Sequence, residues 1–573
     1  MLQIGSGKLF QREAEYRNNL KGVIYTNLRL IGDEKLETMA GSVVATTNLY
    51  DSNALIYEIE ELVEAYGDGP GVLISHGIDS FILDFSSILS FALNCTASPS
   101  YALTERLLGD QLGVTTHTTP KQILKRVFDK NVDCQVEDVK FFTDFTDHLI
   151  GLERKTYLGV MSSIRTYVTG MQRIADDFEL AYTLFVASIE SLAQNFDGHQ
   201  STWSDYDHKK RKAIDNALND ALNDADDTIT DKVREAILLY EHTSLGKRFK
   251  EFSIQHLDSR YYREEAKDTI NPISSFDLPM ALTNAYLARS KYIHNLQKLP
   301  KSLNMSNTYT ETCRIEGKTW LTLQGLSRLA RHVIIKFIME KNTVEKEIYN
   351  YELERSNIMT LQLSPEFWVA KIDFRNGIGN RKLEGFLCQL AGCIEHTPNA
   401  RITALTELLE EVEEKITSLK EEDRRAFVAL YILYYACTKT DKKEKHRKFI
   451  ENHEKEILTP CNAGLIVNLL LRLNLYPDLQ VSHDYLIKYF KERDHKLTIR
   501  FPKIFETGII LQLAERYRRN NDKKKAIELI EMAVENYPGN PLLRQFEEDY
   551  KSEPQVIDWE KVLLPAKISD DML

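Results

Sequence analysis

The spacing of apolar residues divides the chain into a mixed N-terminal part and a long helical remainder. Segments 22–32 (GVIYTNLRLIG) and 41–50 (GSVVATTNLY) are rich in β-branched and aromatic residues and predict strands. Segment 52–66 (SNALIYEIEELVEAY) carries apolar residues at helical spacing and predicts an amphipathic helix. Segment 69–75 (GPGVLIS) reads as a turn into a short strand, and 81–93 as a buried helix. From 149 the period turns helical. Segment 149–196 keeps its apolar positions at helical spacing, with Gly151, Gly159 and Gly170 as candidate breaks. Segments 210–224 and 231–248 predict two more helices, 256–276 is irregular, and 277–300 and 319–341 are helical again. About five long helices are enough for a bundle. Segment 345–385 is mixed, with strands expected in NIMTLQLS and FWVAKIDF, and the chain is then helical to 552.

Chemistry is placed on segment 277–300, DLPMALTNAYLARSKYIHNLQKLP. Asp277 is the expected N-cap, and Pro279 falls in the first turn, where a missing N–H costs little. Ala281, Leu282, Ala285, Tyr292, Ile293 and Leu296 form the expected apolar stripe, and Pro300 is the expected stop. Near the end Arg289 and His294 stand five apart.

Composition narrows the class. The 573 residues carry a net charge of −12, so any nucleic-acid contact needs a local basic patch rather than a generally basic surface. The cysteines are Cys95, Cys134, Cys313, Cys388, Cys393, Cys437 and Cys461. Their odd number and the lack of a CxxC pair argue for free thiols in a reducing compartment. The first residues become charged too early for a signal peptide, and no apolar run of about 18 residues predicts a membrane span. The expected setting is cytoplasmic and soluble, with no membrane contact. The glycine turns GDGPG (67–71) and GIGN (377–380) fit turn chemistry rather than a phosphate-binding fingerprint. No metal-ligand spacing and no cofactor motif stands out.

Two stretches carry a resemblance. From Thr507, the positions Ile510, Leu513, Ala514, Tyr517, Ala526, Ile530, Ala533 and Pro538 follow tetratricopeptide (TPR) spacing, so 386–573 resembles a TPR-like helical region. Residues 149–341 resemble the HEPN superfamily, most nearly its ApeA-like branch. Active members are helical bundles that cut RNA without a metal. The family motif is an arginine, a polar residue, a few variable residues and a histidine on a late helix. It stands here as Arg289-Ser290-Lys291-Tyr292-Ile293-His294, followed by Asn295. Ser290 departs from the usual Asn, Asp or His. An acidic residue on an earlier helix is frequent in the family, and Glu190 in FVASIESLAQ takes that place. The resemblance thus implies a catalytic set of Arg289, His294, Glu190, Ser290 and Asn295.

The motif suits cleavage of RNA by its own 2′-hydroxyl. Histidine can move the proton because its unperturbed pKa is about 6.5, and arginine offers a planar fork for phosphate oxygens. Positions five apart lie about 140° apart around a helix, so one helix cannot easily close both groups on one phosphate. The family's answer is a dimer. The run His208-Lys209-Lys210-Arg211-Lys212, with Lys247 and Arg248, is the candidate RNA-binding patch, against the reading of a plain solvated face. Arg328, Arg331 and His332 are expected on a solvated face, and His242 in a structural role. The expected architecture is mostly α: an N-terminal α+β domain (1–148), a HEPN-like bundle (149–345), a mixed connector (346–385) and TPR-like repeats (386–573). The expected function is a metal-independent endoribonuclease acting as a regulated effector of bacterial anti-phage defence, or in a toxin–antitoxin-like system. Its expected partners are an RNA substrate, a second copy of the chain, and a protein partner or trigger at the N-terminal and TPR-like regions. The alternative is a non-catalytic adaptor that dimerises through the bundle and binds protein through the TPR-like region.

Overall fold

The computed structural model describes the chain except residues 31–34, 47–52, 66–75, 111, 113–117, 175, 199–201, 204–205, 207, 223–226, 241–244, 305, 356–358, 360, 439–443 and 566–573. The expectations at 69–75, at GDGPG and at His242 lie outside the described residues. The rest is mostly helical and forms two compact units, Met1–Thr360 and Leu361–Leu573.

The first unit begins with a short helix α1 (Leu2–Gly5) and an antiparallel sheet of order β3-β4-β5-β1-β6. Its strands are β1 (Ala14–Thr26), β3 (Lys35–Thr38), β4 (Gly41–Ala45), β5 (Asn53–Glu64) and β6 (Ala97–Ser98), while β2 (Leu28–Arg29) pairs in parallel with β7 (Val132–Asp133). The helix expected at 52–66 is therefore a strand. Leu55, Tyr57, Ile59, Glu61 and Val63 are buried at a period of two, and β5 runs against β1 from Thr26↔Asn53 to Ala14↔Glu64. Leu55, Ile56, Ile59, Leu62 and Val63 of the same segment lie at helical spacing, which is why it also reads as a helix. The partner strand settled the choice, as is common where propensity is weak.

Helices follow: α2 (Asp79–Leu93), α3 (Tyr101–Leu108), α4 (Pro120–Ile123), α5 (Val136–Gly151), α6 (Arg154–Arg173) and α7 (Phe178–Phe196). Then come α8 (His208–Leu222), α9 (Asp227–Tyr240), α10 (Leu245–Gln255), α11 (Ser259–Arg263), α12 (Leu278–Asn295) and α13 (Leu323–Met339). The buried helix expected at 81–93 is α2. The single helix expected at 231–248 is two, α9 and α10. The helix expected at 319–341 starts later, because residues 318–321 form β9 (Lys318–Leu321), paired with β8 (Thr312–Ile315). Glu316 and Gly317 both have positive φ in the turn between them, the geometry a two-residue hairpin needs. One hydrophobic core runs from Leu2 to Ile338 with no break at 148, since Phe142, Phe145, Leu149 and Ile150 belong to it together with Phe85 and Tyr157.

The second unit contains α14 (Ile378–Ile394), α15 (Thr406–Lys415), α16 (Glu421–Cys437), α17 (Glu444–His453), α18 (Lys455–Leu458) and α19 (Asn462–Leu470). It closes with α20 (Leu479–Glu492), α21 (Lys503–Arg519), α22 (Lys523–Asn536), α23 (Pro541–Ser552) and α24 (Trp559–Leu563). The strands expected in NIMTLQLS and FWVAKIDF do not form among the described residues, and a single-turn 3₁₀ segment at Pro365–Phe367 lies where the second would begin. At 377–380 the turn is confined to Gly377, the N-cap of α14 with φ +81°, because Ile378–Asn380 already belong to that helix, and the Gly377 and Gly379 N–H groups donate to the Asp423 carboxylate at 3.0 and 2.8 Å. Helices α21 and α22 form a helical hairpin whose Ala514, Ala526 and Ala533 are fully buried.

Candidate functional site

Helix α12 begins where Pro279 allows it, but Asp277 does not cap it with its side chain. The Ser274 hydroxyl donates to the Asp277 carboxylate at 2.8 Å instead. Its buried side is Leu278, Ala281, Leu282, Asn284, Ala285 and Ala288. Small residues there let α7, α10 and β9 approach closely. The helix ends at Asn295 because Leu296 takes a left-handed conformation (φ 50°), so Pro300 is not the stop. The expected apolar stripe fails in the last turn. Tyr292 is half-buried, while Ile293 (47 % exposed) and Leu296 (77 % exposed) face outward.

Two contacts pin α12 to α7. Tyr292 donates its hydroxyl to Asp177 at 3.3 Å, and Asp177 caps the start of α7 by accepting from the Leu180 N–H. Near the other end of α7, Arg289 Nη2 lies 2.7 Å from the buried Glu190 carboxylate, and Tyr286 donates to Glu190 at 3.4 Å. The Arg289 guanidinium stands 5.9 Å from the Tyr286 ring centre, with a buried Nε that has no hydrogen-bond partner. Burial pushes the Glu190 carboxyl above its ordinary range, while the Arg289 charge and hydrogen bonds from Tyr286 and Gln194 pull it back. Burial and then the Glu190 charge push the Tyr286 phenol up to about 12. Gly246 of α10 lies against the Tyr286 ring, where a Cβ would stand 2.8 Å away, so α10 closes on this cluster only as glycine.

The structure thus brings Glu190 and Arg289 together and leaves His294 apart from them. His294 and Asn295 are exposed at the end of α12, and Ser290 is half-buried. Within one chain Arg289 faces α7 and His294 faces the open side. Tyr286 was not singled out by sequence, although its place one turn before Arg289 puts both on one face of the helix.

Of the basic residues, Lys209, Lys210 and Lys212 are exposed in the first turns of α8, and Lys247 is exposed on α10. Lys210 lies 5.8 Å from the Tyr206 ring centre, and Arg211 donates to the Trp203 carbonyl at 3.4 Å. Arg248 is committed elsewhere. It pairs with Asp197 at 2.6 Å and donates to the Ala193 and Gln194 carbonyls, which closes the end of α7. Its placement in the RNA patch is corrected accordingly.

The solvated face expected for Arg328, Arg331 and His332 is also corrected. Arg328 forms a two-point pair with the buried Glu311 and covers the Tyr261 ring at 3.8 Å. Arg331 donates to the Phe91 carbonyl at 2.8 Å, and the buried His332 meets Glu265 at 2.8 Å. These long side chains satisfy carbonyls and carboxylates of neighbouring elements that the α13 sequence does not reveal.

Among the described residues no group of three or more His, Cys, Asp or Glu side chains is placed to hold a metal ion, and no helix is long and apolar enough to cross a membrane. No protein-family model, curated protein or solved structure matches the chain.

Proposed function

We propose that this chain is a metal-independent endoribonuclease of the HEPN type, working as a homodimer. The observation that supports it most is the placement of the motif on α12: Arg289 is anchored by a buried acid on an earlier helix while His294 stays open at the helix end. In the reaction, a base removes the proton of the 2′-hydroxyl and that oxygen bonds to phosphorus. The 5′-oxygen leaves with a proton, giving a 2′,3′-cyclic phosphate and a 5′-hydroxyl. His294 moves the proton, and Arg289 stabilises the crowded phosphorane. The open side of α12 carries Met280 and Leu287, with Phe276 (97 % exposed) just before the helix. Such a face suits a two-fold contact that sets one motif helix against another. Lys209, Lys210, Arg211, Lys212 and Lys247 would track the RNA backbone. The N-terminal sheet and the helical, TPR-like second unit would hold the nuclease off or sense a trigger. Anti-phage defence by abortive infection, or a toxin–antitoxin-like role, is the setting this implies.

A second reading has its own observation: Glu190 matches the Arg289 charge within the chain, as an ordinary structural pair does. Under it the protein is a non-catalytic adaptor that dimerises through the bundle and binds protein through its second unit. The test is RNA integrity in bacteria expressing wild-type or His294→Ala chain, with and without phage, followed by in vitro cleavage in EDTA. Cleavage by the wild type alone supports the nuclease. Equal RNA loss in both, or cleavage abolished by EDTA, leaves the adaptor.

A further inference from the structure

Glu190 and Arg289 cancel each other's charge, so the nearest cation on the face that His294 occupies has to be found elsewhere. Lys291 is that residue. It lies three positions before His294, about 60° away around the helix, whereas Arg289 is about 140° away. Residues three apart are neighbours on a helix surface, with Cβ atoms about 5–6 Å apart. Lys291 is exposed and has no ion-pair partner among the described residues. Lys298 and Lys301 follow it, both exposed, so the chain carries a cationic edge onward from the helix end. Leu287, one turn before Lys291, belongs to the same open side.

We propose that Lys291 is a second phosphate-binding residue of the site, the one whose charge is unmatched, and that it holds the scissile phosphate beside His294 of the same chain. Arg289 then works from the bundle side, while Lys291 meets the phosphate in the cleft between the two motif helices as a flexible point charge. The proposal rests on the ribonuclease reading.

Its test is binding of the full chain to a 2′-O-methyl RNA, which has no free 2′-hydroxyl to react, followed by fluorescence anisotropy between about 50 and 200 mM salt. Removing one phosphate contact lowers the slope of log affinity against log salt by about one. Lys291→Gln should do so and weaken binding, and Lys291→Arg should restore the slope. Lys420→Gln, at an exposed lysine of the second unit outside the site, serves as the control and should leave the slope unchanged. In cleavage assays Lys291→Gln should lower kcat by on the order of 10². If the wild type binds and Lys291→Gln keeps the full slope, Lys291 does not meet the phosphate and the ribonuclease reading stands without it. If the wild type binds no RNA even with phage-infected lysate added, that reading falls and takes Lys291 with it.

Discussion

Glu190 and Arg289 form an ion pair at 2.7 Å in which the carboxylate is buried and the guanidinium is partly open. Removing Glu190 leaves the partly open Arg289 guanidinium without its partner, which costs about 1–3 kcal/mol. Glu190→Ala should therefore destabilise the first unit by that order in urea unfolding, and Glu190→Gln/Arg289→Gln should recover most of the loss. Equal stability of the single and paired variants would mean the pair holds nothing together.

His294 carries the sharpest catalytic prediction. A general acid or base contributes about 10²- to 10⁴-fold, so His294→Ala should slow RNA cleavage by that factor with an unchanged melting temperature. DNA and 2′-O-methyl RNA should survive, since neither offers a 2′-hydroxyl. The assay needs phage-infected lysate, because a held-off enzyme is silent without its trigger.

Leu287 tests assembly. The chain mass is 66.2 kDa, and light scattering of the wild type should give twice that at micromolar concentration. Leu287→Glu puts a charge on the open side of α12 and should return the single-chain mass, with circular dichroism unchanged. A wild type that stays single-chain with or without RNA would remove the dimer.

Ala526 tests the α21–α22 hairpin. It has no exposed surface, so a larger side chain has nowhere to go. Ala526→Arg should cost about 1–3 kcal/mol from overpacking, beyond the cost of burying a charge. Protease resistance and thermal melting of the second unit report it.

Glu515 sets an acid limit in the same unit. Burial works against its charge, yet hydrogen bonds from Arg518, the Ile557 N–H and Arg519 hold the carboxyl down to about 2. A depressed carboxyl stabilises above its unfolded value and loses that contribution as pH falls toward its folded one. The window here runs from the unperturbed 4.5 down to about 2. Hydrogen exchange in α21 should quicken across that window in the wild type, and Glu515→Gln should exchange faster at neutral pH with less change on acidification.

The sequence alone settles most of the helices, because a 3.6-residue period over long stretches has few other solutions. Helices α2, α6, α7, α12 and α13 and the spacing of Arg289 and His294 are all visible there, whereas the β8–β9 hairpin around Glu316 and Gly317 is not, and its second strand takes the start of the helix expected at 319–341. Strand β5 is not legible: Leu55, Ile56, Ile59, Leu62 and Val63 lie at helical spacing while Leu55, Tyr57, Ile59 and Val63 alternate as a strand does, and pairing with β1 chose between the two periods. The end of α12 depends on one left-handed residue, Leu296, a local choice that no period records. The site divides in the same way. Spacing puts an arginine and a histidine on one helix, but which acid buries against Arg289, and that Arg248, Arg328 and Arg331 are spent on neighbouring helix ends and carboxylates, depends on contacts 17 to 240 residues apart in the chain. Long polar side chains take their partners from tertiary neighbours, and a one-dimensional pattern holds no trace of those.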